Sequence, residues 1–211
     1  MSKIVVFGAG GRAGRAAVEE ARRRGHEVTA VVRDPAAHRG LATDGVRLVA
    51  GDVTDAESVA EAAQGHDASI SAVYDAGAQP DVFYTAASRA LLDGLSRAGV
   101  GRLVSVSLAS LLPTESGTLL MDTPGYPQEY RGFLLGHAAG NEVLSGADTS
   151  VDWLVLSPAG DFDHGGARTG RYRTAPGEAS SRITYPDFAI AVLDEIDNAE
   201  HHRTHLGIEA T

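Results

Sequence analysis

The most constraining feature of the chain is the stretch KIVVFGAGGRAGRAAVEEARRRGHEVTAVV, which begins at residue 3. A short apolar run at residues 4–7 ends in a glycine-rich turn. A helix-like segment at 12–24 then leads to a second apolar run at 28–32. Apolar runs this short, rich in Val and Ile, are typical of strands covered on both faces of a sheet. The chain therefore begins with a predicted strand–helix–strand unit whose two strands run parallel.

The same alternation continues to the end of the chain. Further strands are predicted at 46–49, 68–73, 103–106, 153–156 and 204–210, and further helices at 56–64, 82–98, 129–144 and 187–197. We therefore predict an α/β fold of the doubly wound, Rossmann type, with helices on both faces of a parallel sheet. The 211 residues, 43% of them hydrophobic, indicate one domain spanning 1–211.

Two irregular segments, at about 108–127 and 157–182, interrupt the alternation and are rich in glycine and proline. Each follows a predicted strand, so each begins at the carboxyl edge of the sheet, where open α/β sheets bind ligands. Long irregular segments in a compact domain are commonly functional. We expect both to lie on the substrate side of a binding site.

The glycine turn has the spacing GxxGxxG, with Gly8, Gly11 and Gly14 between the first strand and the first helix. Glycines allow a tight turn and a close backbone approach to a pyrophosphate, and the helix N-terminus supplies unpaired N–H donors. In this context the motif predicts a dinucleotide-binding turn. The turn residues expected to contact the cofactor are Gly8, Gly10, Gly11, Arg12, Ala13 and Gly14.

The second strand ends in VVRD, which bears on the choice of cofactor. Folds of this type that prefer NAD place an acidic residue there for the ribose 2′-hydroxyl, whereas an arginine accommodates a 2′-phosphate. Arg33 occupies the position, so we predict that NADP(H) is preferred over NAD(H). The adjacent Asp34 keeps the NAD(H) alternative open.

Charge and composition exclude several classes of function. A formal net charge of −10 repels a polyanion, so no nucleic-acid partner is expected. No run of 18 uncharged apolar residues and no signal-peptide pattern is present, so we expect no membrane partner and a cytoplasmic protein. The chain has no cysteine, which excludes disulfides and thiolate metal sites. The expected partner is a small-molecule substrate, and a homo-oligomer remains an alternative to a monomer.

These residues resemble the atypical short-chain dehydrogenase/reductases. The motifs GAGGRAG, VVRDP, GDVTDAESVAEAAQGHDASISAV, GVGRLVSVSLASLL, VDWLVLSPAG and RTGRYRT are similar, in order and spacing, to the NAD(P)H-binding branch that includes biliverdin reductase B, a flavin reductase. The resemblance covers nearly the whole chain. It implies that Asp52 and Val53 contact the adenine, that Ser71 and Ala72 line the adenosine ribose side, and that Ser107 and Pro158 lie at the nicotinamide end. Asp52 is also a candidate cap for the helix that follows.

The larger short-chain family uses a Tyr-x-x-x-Lys pair, and this chain has only one lysine, Lys3, in the first predicted strand. Tyr130 with Leu134 is the nearest positional analogue, and a leucine cannot lower the pKa of a tyrosine. The resemblance therefore implies hydride transfer without a strong acid, in which orientation of the nicotinamide supplies much of the rate. The candidate proton donors are Ser107, Tyr126, Tyr130, His137 and His164, and of these Ser107, Tyr130 and His137 are the predicted catalytic residues.

His137 matches a histidine position in the flavin reductase branch, although a packed structural histidine is the alternative. In the predicted helix it shares a stripe with Tyr130, Leu134, Asn141 and Leu144. Gly132, Gly136 and Gly140 recur every four residues beside this stripe, which predicts a close approach by another backbone, either of a neighbouring subunit or at a ligand site. The histidines His201, His202 and His205 lack the spacing of a zinc site, and no metal is expected.

The sequence thus predicts an NADPH-dependent oxidoreductase that passes hydride to a flavin, a quinone or a similar conjugated acceptor. A non-catalytic NADP(H)-binding redox sensor is the first alternative, because the absence of the Tyr-x-x-x-Lys pair suits it equally well. An epimerase- or dehydratase-like enzyme is the second alternative. The fold alone does not distinguish the three.

Overall fold

The computed structural model describes all residues from 1 to 211 and contains an eight-stranded sheet with the order β3-β2-β1-β4-β5-β6-β10-β8. Its parallel strands are β1 (Lys3–Phe7), β2 (Glu27–Val32), β3 (Val46–Ala50), β4 (Ala68–Ser71), β5 (Arg102–Val106), β6 (Asp152–Pro158) and β10 (His205–Glu209). An antiparallel edge strand, β8 (Arg173–Ala175), pairs with β10. The order 3-2-1-4-5-6 is that of the doubly wound fold, so the predicted fold is confirmed.

Five helices cover the two faces of this sheet. They are α1 (Arg12–Arg23), α2 (Ala56–Ala63), α3 (Pro80–Ala98), α4 (Arg131–Gly146) and α5 (Tyr185–Asp197). Apolar residues of α1 and α5 share one buried cluster with one face of the strands, and those of α2, α3 and α4 share the other. The strands are apolar on both faces because both are covered, which is why their sequences read as continuous Val and Ile runs.

Several element boundaries differ from the predicted ones for identifiable reasons. The helix predicted at 82–98 begins at Pro80, since proline at the first helical position has its φ already set. The helix predicted at 187–197 begins at Tyr185, and the Thr184 hydroxyl accepts the Asp187 N–H at 3.1 Å as its cap. The strand predicted at 68–73 ends at Ser71. Residues 72–79 therefore form a loop at the carboxyl edge of the sheet.

The glycines of α4 contact another helix of the same chain. A Cβ atom at Gly136 would collide with Pro80, and one at Gly140 would press on Tyr84, so these two glycines let α3 and α4 approach closely. Gly132 faces open space. The predicted close approach by another backbone is confirmed for two of the three positions. Its source is α3, so the expectation of a neighbouring subunit or a ligand was wrong at Gly136 and Gly140.

The two irregular segments contain short elements. Two 3-10 turns, Ala109–Leu111 and Leu120–Asp122, lie in the first of them. The second contains β7 (Asp161–Asp163), β8 and the start of β9 (Arg182–Thr184), and β7 and β9 form a separate parallel pair. None of the five helices combines the length and the apolar character needed to cross a bilayer.

Candidate functional site

A cavity of about 640 Å³ opens at the carboxyl ends of β1, β2, β3 and β4. The reversal of strand order between β1 and β4 creates a crevice there, which is the usual ligand site of open α/β sheets. Seven of the predicted cofactor residues line it: Gly8, Gly10, Gly11, Arg33, Asp52, Val53 and Ala72. The structure therefore brings the glycine turn, the end of β2 and the residues after β3 and β4 together around one cavity.

The glycine turn has two positions where only glycine fits. Gly8 has φ +77°, in the left-handed region, and a Cβ atom on it would collide with the carbonyl oxygen of Ala72. A Cβ atom on Gly14 would collide with the carbonyl oxygen of Gly8. The first glycine thus allows the turn to pack on the end of β4, and the last allows α1 to pack on the turn.

The start of α1 leaves backbone donors unpaired. Its N-cap is Gly11, which has no side chain to accept a hydrogen bond. The N–H groups of residues 10, 12, 13 and 14 donate to no acceptor within the protein. Unpaired N–H groups at a helix N-terminus, approached closely over glycines, are what a pyrophosphate requires. The residues of the turn therefore fit a dinucleotide, with Arg12 and Ala13 at its helical side.

Basic side chains gather where β2 ends. Arg33 lines the cavity and forms an ion pair with Asp75, and the Arg33 side chain is 69% exposed. His38 also lines the cavity, and Arg15 bridges it to the turn through bonds to His38 Nδ1 at 3.1 Å and to the Gly10 carbonyl at 2.9 Å. This end of the cavity therefore presents the Arg33 guanidinium, paired with Asp75, and the His38 imidazole, to which Arg15 donates.

The Asp34 carboxylate caps a helix, whereas a preference for NAD requires a carboxylate that binds the ribose 2′-hydroxyl. Its carboxylate accepts the N–H of Ala36 at 2.9 Å and caps the 3-10 helix Pro35–Leu41. A carboxylate engaged as a cap is less available to a ribose hydroxyl. Of the adjacent residues Arg33 and Asp34, only Arg33 lines the cavity.

Asp52 and Val53 lie on the cavity wall that follows β3. The Asp52 carboxylate accepts the Thr54 N–H at 2.9 Å and the Thr54 hydroxyl at 2.7 Å. The cap of α2 is Asp55, whose carboxylate accepts the Glu57 N–H at 2.9 Å. The expectation that Asp52 caps this helix was therefore wrong. Its carboxylate instead stabilises the turn at residues 52–54, which includes Val53.

Ser71, Ser107 and Pro158 continue the carboxyl edge beyond the cavity lining. Ser71 ends β4, Pro158 ends β6, and the Ser107 N–H donates to the Leu156 carbonyl at 2.8 Å just past the end of β5. All three are buried. The Asn141 amide of α4 donates to the Ser107 hydroxyl at 3.2 Å, which fixes that oxygen at the sheet edge. Asn141 was predicted only as a member of the helical stripe.

His137 and Tyr130 occupy contrasting environments on α4. The His137 ring is buried between aromatic side chains, 3.6 Å from the Tyr84 ring centroid and 4.9 Å from that of Phe133. Burial lowers the pKa of His137 to about 3, so the ring is neutral near pH 7. Tyr130 is the N-cap residue of α4 and is 65% exposed. Neither lines the cavity.

The remaining candidate donors also have defined positions. Tyr126 is partly buried, and burial raises the pKa of its phenol. His164 is exposed, and its Nδ1 accepts a hydrogen bond from Arg12 at 2.8 Å. The histidines near the C-terminus diverge: His201 contacts Glu195, His202 contacts Asp152, and His205 contacts the Ser157 hydroxyl. Each of these three rings therefore has a different partner.

The cavity also contains residues that no sequence motif indicated. They come from the 3-10 helix after β2 and from the loop and helix start after β4, and they are His38, Tyr74, Asp75, Gln79, Val82 and Phe83. The residues after β4 could have been predicted from the length of the connection between β4 and α3, because a loop at the carboxyl edge of a central strand faces the ligand crevice.

Comparison with known proteins agrees with this geometry. Residues 8–199 match the NAD(P)H-binding family. The uncharacterized protein YwnB of Bacillus subtilis is 37% identical over 207 residues, which is 94% of each chain. A candidate NADH-flavin reductase from Streptococcus pneumoniae is 29% identical, with a TM-score of 0.85 over 100% of both chains. A candidate epimerase from Bacteroides thetaiotaomicron is 32% identical, with a TM-score of 0.84 over 99% of this chain and 97% of its own.

The match covers the glycine turn, the cavity wall and all five helices, and the resemblance in the motifs is confirmed. The chain therefore belongs to the NAD(P)H-binding family.

Proposed function

We propose that this protein is an NADPH-dependent reductase that passes hydride to a flavin, a quinone or a similar conjugated acceptor. The observation that carries the cofactor preference is that Arg33, paired with Asp75, and His38 both line the cavity beside the end of β2, whereas Asp34 does not. A 2′-phosphate carries the charge and the acceptor oxygens that a guanidinium and an imidazole bind well. Bound NADPH supplies the hydride, and the acceptor takes one further proton to complete a two-electron reduction.

The carboxyl edge beyond the cavity supports the reductase assignment. Ser107, fixed by Asn141, and Pro158 follow the glycine turn along neighbouring strand ends, so a nicotinamide extending from the turn would lie beside them. The only lysine, Lys3, begins β1 at the opposite edge of the sheet. No lysine can therefore assist a tyrosine there, which favours acceptors that need orientation more than acid catalysis.

Ser107, Tyr130 and His137 remain the proposed catalytic set, with separate tasks. The exposed phenol of Tyr130 can exchange its proton with solvent. His137, neutral near pH 7, can donate a hydrogen bond but is a poor source of a proton. Ser107 would orient the nicotinamide through its hydroxyl. The candidate NADH-flavin reductase among the structural relatives supports the same class of acceptor.

Consumption of NADPH and NADH with riboflavin, FMN, a soluble quinone and a redox dye tests this proposal, beside calorimetric titration of NADP⁺. We expect NADPH oxidation with at least one conjugated acceptor and none with simple aldehydes. NADP⁺ binding without turnover on any acceptor would overturn the reductase proposal and leave the redox sensor.

Asn141→Ala removes the amide that donates to the Ser107 hydroxyl, so it should lower the rate of NADPH oxidation with little change in NADP⁺ affinity. Ser145→Ala, on the exposed side of the same helix, is its matched control.

A further inference from the structure

The segment of residues 159–172, within the second irregular segment, reaches the glycine turn. Arg12 Nη1 donates a hydrogen bond to His164 Nδ1 at 2.8 Å and so joins residues 152 positions apart. A guanidinium only donates, so Nδ1 is the unprotonated nitrogen of a ring whose proton lies on Nε2. The contact therefore fixes the tautomer of His164 as well as the position of Arg12.

The far end of the 159–172 segment is fixed to α5. The fully buried carboxylate of Asp187 accepts the Thr169 N–H at 2.9 Å, the Thr169 hydroxyl at 2.8 Å and the Gly170 N–H at 2.8 Å. Burial acts to raise the pKa of Asp187, but these hydrogen bonds outweigh it and the pKa is lowered. The Tyr172 hydroxyl donates to Asp194 at 2.7 Å. Residues 169–172 therefore have little freedom to move.

The near end of the segment is fixed by aromatic contacts. The Phe162 ring stacks on that of Tyr185, with centroids 4.1 Å apart and an angle of 12° between the rings. The His164 ring lies 5.6 Å from the same Tyr185 ring. His164 is thus placed by its neighbours on the segment and by the start of α5, independently of Arg12.

Arg12 retains most of its donors. The guanidinium has five N–H groups, its bond to His164 uses one, and it forms no ion pair with a carboxylate of the chain. It belongs to the first turn of α1, where the N–H groups of residues 10, 12, 13 and 14 are also unpaired. A planar set of donors with one edge occupied suits two-point contact with phosphate oxygens.

We propose that His164 is a positioning residue that orients Arg12 as a clamp on the cofactor pyrophosphate. Cofactor binding then joins the glycine turn to the 159–172 segment through Arg12, and the segment closes the pyrophosphate side of the site. This inference rests on dinucleotide binding at the glycine turn, and it does not require turnover.

The test compares His164→Ala, His164→Asn and the control Arg171→Ala, an exposed residue of the same segment whose side chain forms no hydrogen bond or ion pair in the chain. Asparagine carries an acceptor oxygen on Cγ, as histidine carries Nδ1, so it can still receive the Arg12 bond. Two probes are titrated by calorimetry: NADP⁺, which has a pyrophosphate, and adenosine 2′-monophosphate, which lacks one. Hydrogen exchange of residues 159–172 is followed with and without NADP⁺.

We expect His164→Ala to weaken NADP⁺ binding by up to about tenfold, the equivalent of one hydrogen bond. Binding of adenosine 2′-monophosphate should not change. His164→Asn should restore most of the NADP⁺ affinity, and NADP⁺ should slow exchange in the segment of the wild type more than in His164→Ala. Equal losses for both probes, or wild-type NADP⁺ affinity and exchange in His164→Ala, would overturn the inference. Failure of the reductase proposal shows instead as absent turnover, with these binding differences intact.

Discussion

The guanidinium of Arg33, at the end of β2, forms an ion pair with the carboxylate of Asp75, in the loop that follows β4. The N–H of Gly77 and the charge of Arg33 hold the pKa of Asp75 below its ordinary value, so the carboxylate is ionised near neutral pH. Both residues line the cavity. The arginine proposed to bind the 2′-phosphate is therefore partly neutralised by the protein itself.

Replacement Asp75→Asn should release Arg33. An exposed ion pair contributes up to about 1 kcal/mol, so we expect NADP⁺ to bind up to about fivefold more tightly while NAD⁺ affinity stays constant. Calorimetric titration of both cofactors measures this. The control is Asp122→Asn, which removes a carboxylate from an Arg131 pair outside the cavity. Weaker NADP⁺ binding in Asp75→Asn would show that the carboxylate orients Arg33 instead of competing for it.

Gly136→Ala should destabilise the protein, because the added methyl group collides with Pro80 where α3 and α4 approach. Overpacking of this kind costs about 1–3 kcal/mol of unfolding free energy. Gly132→Ala, on the same helix but facing open space, should be neutral or stabilising by up to about 1 kcal/mol. Urea unfolding of both variants gives the comparison. Similar effects at the two positions would contradict the close packing.

His137 should make stability depend on pH. Its pKa is about 3 in the folded protein, whereas 6.5 is the ordinary pKa of a histidine in an unfolded chain, so the unfolded chain binds more protons between these values. The contribution of the neutral ring is thus complete above about pH 6.5 and falls as the pH decreases towards 3. Between about pH 7 and pH 5, His137→Phe should lose about 2 kcal/mol less unfolding free energy than the wild type. Equal losses in urea unfolding at the two pH values would rule out a buried neutral ring.

The local sequence pattern was sufficient to predict the order of helices and strands and the position of the glycine turn. Strand and helix periodicity predicted the order of elements, and Gly8 and Gly14 marked the turn because their backbone conformation or neighbours exclude any side chain. The position of Arg33 followed from the end of β2, since a strand end in a parallel sheet has a fixed relation to the crevice.

The contacts that complete the site depended on tertiary structure. Asp75 reaches Arg33 from a loop 42 positions away, and His38 reaches Gly10 across the end of β2. Nothing in the sequence around either residue marks these contacts. The burial of His137 is similarly set by Tyr84, which lies on a different helix. Helical periodicity placed His137 on a stripe, but only packing between α3 and α4 decided that the ring is enclosed.

The central claim is that Arg33 makes the cavity selective for NADP(H), and calorimetric titration of NADP⁺ and NAD⁺ into the wild type and Arg33→Asp tests it most directly. A charge-assisted hydrogen bond contributes about 1.5–3 kcal/mol, so NADP⁺ affinity should fall by about 10- to 100-fold in the variant. NAD⁺ affinity should be retained, because the glycine turn that binds its pyrophosphate is unchanged. A wild type that binds NAD⁺ as tightly as NADP⁺, or a variant that loses both equally, would contradict the account.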